Sequence, residues 1–346
     1  MTLRPRILLL LSFIPSLTHA AEPPFTGTNP IPYTYQSQGA EHREVRDPCI
    51  IREGDAWYLI HTMWPFANRE PDRMNLPDNG SSPGIALYRS TDLKDWKFQS
   101  WLVRSADLPD DCPYKHRFWA PEIHKLNGKF YLIFTADNWT KKEINPHQEF
   151  ASAGRAFVGV ADHIGGPYQH ISLIPDGACD TTLFADTTGK TYAVMPKHDL
   201  FIRPIDLTGL TRGEGISWLG PEKKIVTCDP AGTKLDSAPE YLEGPWVEHI
   251  GGRYHLFYAE FFRNGKDTSY WTGVASADTP DGPWQRDDRG KVFEAGHIAI
   301  FDGPSNSKWV SYRIENRDHD RGLLAIDPVT ITPQGQVQVE ITAGKR

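Results

Sequence analysis

The sequence lacks the motifs of several common enzyme classes. It has no G-x-S-x-G turn, no H-E-x-x-H pair, no D-x-D-x-D-G loop and no close cluster of histidine and cysteine. No long helical pattern occurs in its 346 residues. These absences argue against a serine hydrolase of the nucleophile-elbow type, a zinc peptidase and a helical bundle. A metal site built on a local motif is excluded as well.

The apolar run at the start of the chain is too short to cross a membrane. It follows the positive charges of Arg4 and Arg6 and precedes Thr18-His19-Ala20, which has the small-x-small form of a cleavage site. We therefore predict a signal peptide over residues 1–20, and a secreted or periplasmic protein.

Positive charge is also scarce. The chain has 37 Lys and Arg against 44 Asp and Glu, a formal net charge of −7. The charge becomes −9 without the leader, because residues 1–20 carry Arg4 and Arg6 and no acid. This balance argues against nucleic acid and anionic membranes as partners. We expect neither, and we expect a monomer.

Cysteine is rare, with four in the chain. In an exported protein the four could form two disulfides, in any of three pairings. Cys49 and Cys179 each lie within two residues of a predicted strand opening, a position that equally suits buried free thiols. The sequence leaves the state of Cys49, Cys112, Cys179 and Cys228 open.

One pattern is abundant: a short strand, a turn and an aromatic-rich strand, repeated five times. An aromatic in each second strand lies 11 or 12 residues after the residue that opens the first strand. The opener and aromatic pairs are Asp47 and Tyr58, Trp119 and Tyr131, Asp180 and Tyr192, Glu243 and Tyr254, and His297 and Trp309. Successive openers are 54 to 72 residues apart, a spacing that suits four-stranded propeller blades.

Each hairpin is followed by a second half-repeat that suits the outer pair of a blade. These segments are 84–96, 155–169, 199–210, 271–284 and 322–331. A β-sandwich with coincidental hairpins is the alternative, but five paired half-repeats in one phase argue against it. We predict an all-β, five-bladed β-propeller over residues 46–346, preceded by an extended arm over residues 21–45.

Both terminal blades contain enough segments to complete themselves. We therefore predict that no strand swap closes the ring. We also predict that residues 25–45 make no hydrogen bonds to the last blade.

In a propeller, the openers of the five innermost strands surround one end of the central channel. Here they would be three acids, one aromatic and one imidazole: Asp47, Trp119, Asp180, Glu243 and His297. Crowded carboxylates cost free energy unless they bind metal, share protons or perform chemistry. The plainer interpretation is that each acid caps a strand and pairs with an arginine. Paired carboxylates across a narrow funnel suit the hydrolysis of a glycosidic bond.

These residues carry a resemblance to a known family. Arg46-Asp47-Pro48, Trp119-Ala120-Pro121-Glu122, Asp180 ahead of Leu183-Phe184, and Glu243-Gly244-Pro245 resemble the motifs of glycoside hydrolase family 43 in order and spacing. That family is a five-bladed β-propeller with inverting arabinofuranosidases, arabinanases and β-xylosidases. The resemblance extends from about residue 45 to the C-terminus.

The resemblance implies roles for individual residues. Asp47 would be the general base, Glu243 the general acid, and Asp180 the residue that orients the acid and raises its pKa. His297 matches a histidine near a channel metal, usually calcium, so Ca²⁺ is the one cofactor to expect. Arg313 resembles an arginine that contacts the sugar, with a plain ion-pair role as its alternative.

Two tryptophans are candidates for stacking on a sugar. Trp64 follows a blade strand and Trp119 belongs to the ring of openers, although both could serve packing instead. The sequence favours a secreted inverting glycosidase that acts on plant glycans containing arabinose or xylose. Two alternatives remain. Arg46-Asp47-Pro48 also resembles family 117, which acts on agar-derived galactose sugars. The other alternative is a propeller that binds carbohydrate without cleaving it.

Overall fold

A computed structural model describes residues 25–37, 39–63, 82–138, 155–228, 239, 241–264, 267–315 and 321–343. The predicted signal peptide and Trp64 lie outside the described residues. Among those described, there are β-strands and three short 3₁₀ turns, at Ser105–Asp107, Thr208–Arg212 and Pro304–Asn306, and no α-helix. No described helix is long and apolar enough to cross a membrane.

The chain begins with a small hairpin and two four-stranded sheets. The hairpin pairs β1 (Tyr35–Ser37) with β2 (Ala40–His42). Blade 1 consists of β3 (Val45–Glu53), β4 (Ala56–Met63), β5 (Gly84–Ser90) and β6 (Lys97–Arg104). Blade 2 consists of β7 (His116–Leu126), β8 (Lys129–Asp137), β9 (Arg155–Ala161) and β10 (Gln169–Leu173).

Three further sheets complete the ring. Blade 3 has β11 (Thr182–Ala185), β12 (Thr191–Lys197) and β13 (Asp199–Asp206), with β14 (Ser217–Trp218) and β15 (Lys223–Val226) both paired to β13. Blade 4 has β16 (Tyr241–Ile250), β17 (Arg253–Asn264), β18 (Asp267–Ala277) and β19 (Gln285–Arg286). Blade 5 has β20 (Ala299–Asp302), β21 (Lys308–Glu315), β22 (Arg321–Ile331) and β23 (Val337–Val339).

Within every sheet the strands pair antiparallel, with neighbours consecutive in sequence apart from β15. The predicted five-bladed β-propeller is therefore confirmed. The innermost strands are β3, β7, β11, β16 and β20. We call the end of the channel where these strands begin the upper end, and the end where they finish the lower end.

Apolar side chains fill the spaces between the sheets. In blade 2, Phe118 and Phe134 are each 1% exposed and their ring centroids lie 5.7 Å apart. Leu59 and Leu87 of blade 1 are fully buried. The blade strands supply these side chains because their apolar residues recur on both faces, as expected for sheets covered on both sides.

The inner strands share a backbone irregularity at the upper end. Each blade has a residue there in the left-handed region: Asp47 (φ 51°), Ala120 (φ 43°), Asp180 (φ 58°), Gly244 (φ 51°) and His297 (φ 53°); blade 2 has a second one, Arg117 (φ 49°). In blades 1, 2 and 4 the strand pairing shifts at this point, as in a β-bulge. The openers counted from the sequence are therefore not all equivalent, since Trp119 and Glu243 stand one residue before the left-handed position.

Side chains from second strands connect neighbouring blades at the bulges. The Ala120 backbone N–H donates to Thr62 Oγ1 (2.6 Å), and the Asp180 N–H donates to Thr135 Oγ1 (3.0 Å). Ser311 Oγ donates to the Pro48 carbonyl oxygen (2.7 Å), across the closure between blades 5 and 1. The upper end is therefore held by hydrogen bonds as well as by packing.

The N-terminal arm contacts the last blade, so our prediction that it would make no hydrogen bonds there was wrong. The Ile31 N–H donates to the Leu324 carbonyl oxygen (2.8 Å). The Asn29 side chain donates to the Ile326 carbonyl oxygen (2.8 Å) and accepts from the Ile326 N–H (3.0 Å). The arm bonds to β22 without becoming a strand of blade 5, because the terminal blades use their own segments.

All four cysteines are free thiols, and Cys49, Cys112 and Cys228 are buried. The alternative of two disulfides is thereby resolved in favour of thiols.

Candidate active site

Four of the five predicted openers converge at the upper end of the channel. His297 Nδ1 lies 3.2 Å from Asp47 Oδ1 and 3.8 Å from Asp180 Oδ2. One ligand atom each from Asp180, Glu243 and His297 lies within 4.8 Å of the others. His297 and Asp180 are each only 8% exposed. The site therefore crowds three carboxylates around one imidazole, with little contact with solvent.

Asp47 is stabilised as a carboxylate. Burial would raise its pKa, but His297, Arg313, a hydrogen bond from Thr62 and Arg46 outweigh that effect and lower the pKa of Asp47. The Thr62 hydroxyl donates to Asp47 Oδ2 (2.7 Å) while it accepts the Ala120 N–H. Asp47 is therefore ionised and held in one orientation.

Behind Thr62, a buried histidine fixes the strand. Burial lowers the pKa of His61 to about 4, so the ring is neutral near pH 7. His61 Nδ1 lies 2.9 Å from the Thr62 carbonyl oxygen, which can only accept, so Nδ1 carries the proton. Nε2 then accepts the hydroxyl of Tyr33 (2.9 Å), a residue of the N-terminal arm. The arm thus supports the strand that orients Asp47.

Glu243 has the opposite electrostatic environment. Burial and the neighbouring charge of Asp180 raise the pKa of Glu243 to about 7, against the effects of His297 and a hydrogen bond from Tyr270. The Tyr270 hydroxyl donates to Glu243 Oε1 (2.6 Å). Near neutral pH the two acids therefore differ in charge state: Asp47 is ionised, whereas a large fraction of Glu243 is protonated.

The pKa of Asp180 is raised. Burial raises its pKa, His297 opposes the rise, and the charge of Asp47 adds to it. The Cys179 thiol donates to Asp180 Oδ1 (3.2 Å), and burial keeps that thiol protonated by raising its pKa well above the usual value. Asp180 therefore contacts donors on one side and contributes negative charge towards Glu243 on the other.

His297 is the positive centre of the site. Burial would lower its pKa, but the carboxylates of Asp47, Asp180 and Glu243 raise it to about 9. His297 Nε2 is buried and has no hydrogen-bond partner among the described residues. The imidazole ring of His297 can occupy this position only because residue 244 is glycine: a Cβ there would lie 2.8 Å from His297 Cγ.

A further buried acid lies below this group. Glu122 Oε2 accepts the Thr182 hydroxyl (2.6 Å) and lies 2.8 Å from His124 Nε2. Its charge also contributes to the raised pKa of His297. The polar lining of the channel thus continues downward from the site along β7 and β11.

The remaining predicted residues have different outcomes. Arg313, on β21, is 9% exposed, and its guanidinium lies 5.1 Å from the ring centroid of Tyr270. Trp119 is half-buried on β7 and pairs with Thr135 of β8. Trp64 lies outside the described residues, so its predicted contact with sugar stays a prediction.

Thr62 and Tyr270 were missed by the sequence reasoning. A signal existed for Thr62: Tyr58-Leu59-Ile60-His61-Thr62 and Tyr131-Leu132-Ile133-Phe134-Thr135 share one pattern, with threonine at the site end of each second strand. Tyr270 had none, because it lies on a third strand, 27 residues after Glu243.

Comparison with known proteins agrees with this geometry. Residues 42–337 match the model of a family described as glycosyl hydrolases family 43. The chain belongs to this family. The family 43 match includes residues of every blade and all four of the residues that converge at the upper end of the channel.

Individual relatives of this family 43 chain are distant. It is 25% identical over 251 residues to a putative beta-xylosidase of Escherichia coli, covering 69% of this chain but 40% of that protein. It is 23% identical over 301 residues to an extracellular exo-alpha-(1->5)-L-arabinofuranosidase of Cellvibrio japonicus, covering 79% and 74%. The chain thus spans less than half the length of the first relative.

The fold has solved counterparts. A thermostable family-43 glycoside hydrolase superposes with a TM-score of 0.66 at 20% identity, covering 91% of this chain and 96% of that one. At this identity the likeness concerns the fold alone.

Proposed function

We propose that this family 43 protein is a secreted, inverting glycoside hydrolase that releases arabinose or xylose units from plant glycans. The observation that carries the proposal is the opposite shift of two acids in one buried site. The pKa of Asp47 is lowered while that of Glu243 is raised to about 7. Acids whose pKa values are driven apart in a common pocket are typical of paired base and acid roles.

In the proposed reaction, the oxygen of a water molecule attacks the anomeric carbon while Asp47 accepts a proton from that water. The glycosidic C–O bond breaks, and Glu243 transfers its proton to the departing oxygen. Asp180 keeps Glu243 protonated through the repulsion of like charges, and His297 balances the charge of Asp47. Each acid then returns to its starting state by exchange with solvent.

The inverting outcome requires space for the water between base and sugar. Carboxyl groups in inverting enzymes stand roughly 6.5–9.5 Å apart. Asp47 and Glu243 belong to blades 1 and 4, which are not neighbours in a ring of five. Their positions on these two blades favour separation over direct contact.

The choice of sugar rests on the relatives. Their names include a putative beta-xylosidase and an exo-arabinofuranosidase, and the latter is called extracellular, in line with the predicted signal peptide. A propeller that only binds carbohydrate would need no proton held on Glu243. The binding-only alternative is therefore the weaker one.

A channel cation is part of the proposal, and its fit can be judged from the donors present. A carboxyl group that must deliver a proton cannot also be ligated to a metal, which removes Glu243. His297 Nε2 remains: it is buried and no described residue bonds to it, and Nδ1 of the same ring faces Asp47, as a ligating imidazole faces an outer carboxylate. Calcium held there would replace the Nε2 proton, because a ligating imidazole is neutral, and with water as most of its ligands it would keep positive charge beside the carboxylates.

The test is a panel of aryl glycosides combined with proton NMR. Release of p-nitrophenol from an α-L-arabinofuranoside or a β-xyloside is the expected result, and the first sugar detected should have the anomeric configuration opposite to that of the substrate. Activity on galactosides alone would favour the agar-type alternative. Retention of configuration would contradict the assigned mechanism, and glycan binding with no hydrolysis would favour the binding module.

A further inference from the structure

Glu243 is held by a tyrosine that belongs to a different strand. Tyr270 lies on β18, the third strand of blade 4, and its hydroxyl donates to Glu243 Oε1 (2.6 Å). Glu243 itself lies on β16, so β17 separates the two residues within the sheet. The side chains nevertheless meet, because Glu243 pairs with Ala259 and Tyr270 pairs with Phe261, two positions further along β17.

The tyrosine ring is fixed by three neighbours. Phe261 of β17 contacts it edge-on, with centroids 5.0 Å apart and an interplanar angle of 64°. The Arg313 guanidinium of blade 5 lies 5.1 Å from its centroid. Gly296 lies against the ring so closely that a Cβ there would overlap Tyr270 Cδ1. The packing thus leaves the hydroxyl one position, at Glu243.

We propose that Tyr270 is a positioning residue that places the transferable proton of Glu243 on Oε2 and stabilises the carboxylate left after proton transfer. The inference rests on the proposed role of Glu243 as the acid. A protonated carboxyl group has one hydroxyl oxygen and one carbonyl oxygen, and an oxygen that accepts a hydrogen bond from tyrosine is favoured as the carbonyl. Oε1 is the accepting oxygen here, so Oε2 carries the proton.

Tyr270 remains a donor throughout the reaction. Burial raises the pKa of Tyr270 well above its usual value, and the charge of Glu243 raises it further, so the phenol does not ionise near neutral pH. When Glu243 Oε2 gives its proton to the departing oxygen, one negative charge appears on the carboxylate. The tyrosine hydrogen bond then becomes charge-assisted and stronger, which lowers the barrier of the step that needs the proton.

Packing alone would not require the hydroxyl. If the ring only filled space, phenylalanine would serve equally well at position 270. The distinguishing property is therefore a dependence on the leaving group, because only poor leaving groups need protonation in the transition state.

The experiment measures kcat and KM of Tyr270→Phe on aryl glycosides of the sugar that the wild type accepts, with leaving groups from dinitrophenol to unsubstituted phenol. Loss of one hydrogen bond to a charged group predicts a kcat reduced about 10- to 100-fold for phenol. For dinitrophenol we expect little change, and KM should stay near the wild-type value across the series.

A matched control is Tyr168→Phe, which also removes one buried hydroxyl. Tyr168 donates to the Ile164 carbonyl oxygen (3.0 Å) in blade 2, directly before β10. Its kcat should equal that of the wild type with every leaving group. Gly296→Ala is the second test variant, because it keeps the hydroxyl but displaces the ring, and it should reproduce the dependence on the leaving group.

The outcomes separate cleanly. An equal loss of kcat with all leaving groups, or none with phenol, in Tyr270→Phe would overturn the positioning role. Should that variant fail to fold, the same series measured on Gly296→Ala decides. A wild-type protein inactive on every glycoside would instead count against the proposed function, and the inference would fall with it.

Discussion

The two ends of the central channel are built from the same five strands but arrange their charges differently. At the lower end each of three acids has a lysine partner. Glu53 lies 2.7 Å from Lys125, and Lys308 lies 3.1 Å from Glu248 and 2.9 Å from Asp302. At the upper end, Asp47, Asp180 and Glu243 crowd around the imidazole of His297, and the charges of Arg313 and Arg46 act on Asp47 as well.

This difference separates a structural use of charge from a chemical one. Exposed ion pairs such as Glu53 with Lys125 contribute little to stability and cost little. Acids buried beside other acids raise the free energy of the folded state, and such arrangements cluster at functional sites. Strand β3 has an acid of each kind: Asp47 lies among the acids at the upper end of the channel, and Glu53 forms an ion pair at the lower end. The two residues therefore allow a direct comparison.

The largest expected effect comes from substitution at the two ends of β3. Asp47→Asn removes the proposed base and should lower kcat by roughly 10²–10⁴-fold, the usual contribution of general acid–base catalysis. Glu53→Gln should keep wild-type kcat, since it removes only half of an exposed pair. Turnover assays on the preferred aryl glycoside measure both variants. Equal activities in the two variants would erase the distinction between the ends.

The next effect concerns stability and pH. Because the folded-state pKa of Glu243 is raised to about 7 from 4.5, its stabilising contribution is complete below pH 4.5 and is lost as the pH rises through 7. Glu243→Gln should therefore be more stable than the wild type by on the order of 3 kcal/mol above pH 8, at 1.36 kcal/mol per pKa unit. Below pH 4.5 the difference should vanish.

Urea unfolding of both proteins at pH 4 and pH 8.5 measures this change. Glu53→Gln is the control, with a change of less than about 1 kcal/mol at pH 8.5. If the wild type and Glu243→Gln had the same free energy of unfolding at pH 8.5, ionisation of Glu243 would not destabilise the fold, contrary to this prediction.

A smaller effect is expected at two glycines of one hairpin. Gly244, at the upper end of blade 4, has φ 51° and leaves no room for a Cβ beside His297. Gly252, in the lower turn, has φ 82°, and no atom of the part of the chain that the structure describes lies within 4 Å of such a Cβ. Alanine at either position incurs a left-handed backbone cost of about 1–2 kcal/mol. Only Gly244→Ala should also move His297, and kcat should fall about 10- to 100-fold.

Thermal unfolding and turnover assays distinguish the two variants. Comparable kcat losses in Gly252→Ala and Gly244→Ala would mean that the position of His297 does not matter.

The smallest effect is expected from metal removal. A calcium ion held by one imidazole and water should bind weakly, and at about five times its Kd it would stabilise the fold by about 1 kcal/mol. A chelator should lower the melting temperature by the corresponding amount, and calcium should restore it in the wild type and in Glu53→Gln but not in His297→Ala. An unchanged melting temperature, with no metal found by elemental analysis, would leave His297 a hydrogen-bonding residue only.

The sequence was sufficient for the fold because blade hairpins are local. Each pair of inner strands is joined by a short turn, so its period and turn residues are visible along the chain, and five copies in phase specify a ring. The spacing of these hairpins also predicted that Asp47, Asp180, Glu243 and His297 lie at the same end of the channel. Counting along the sequence does not detect backbone bulges. Glu243 was therefore predicted to be equivalent to Asp47, although the left-handed position that Asp47 occupies in blade 1 is occupied by Gly244 in blade 4.

Contacts between strands far apart in sequence could not be predicted. The bond from Tyr270 to Glu243 depends on the register of three strands, and the support of His61 by Tyr33 depends on where the arm packs. The arm itself was misjudged because its hydrogen bonds to blade 5 come from Asn29 and Ile31, outside any alternating pattern. Both cases are tertiary contacts with no periodic trace in the sequence.

The hydrogen bonds between the N-terminal arm and the last blade have a consequence for protein engineering. Asn29 Nδ2 donates to Thr342 Oγ1 (2.8 Å), so two positions 313 residues apart lie side by side at the rim. A linker of a few residues could join them, and new termini could be opened at the turn of Gly251 and Gly252, on the face away from the site. Such a circular permutant would offer an attachment point for a cargo domain at the lower face and leave the entrance to the upper end free.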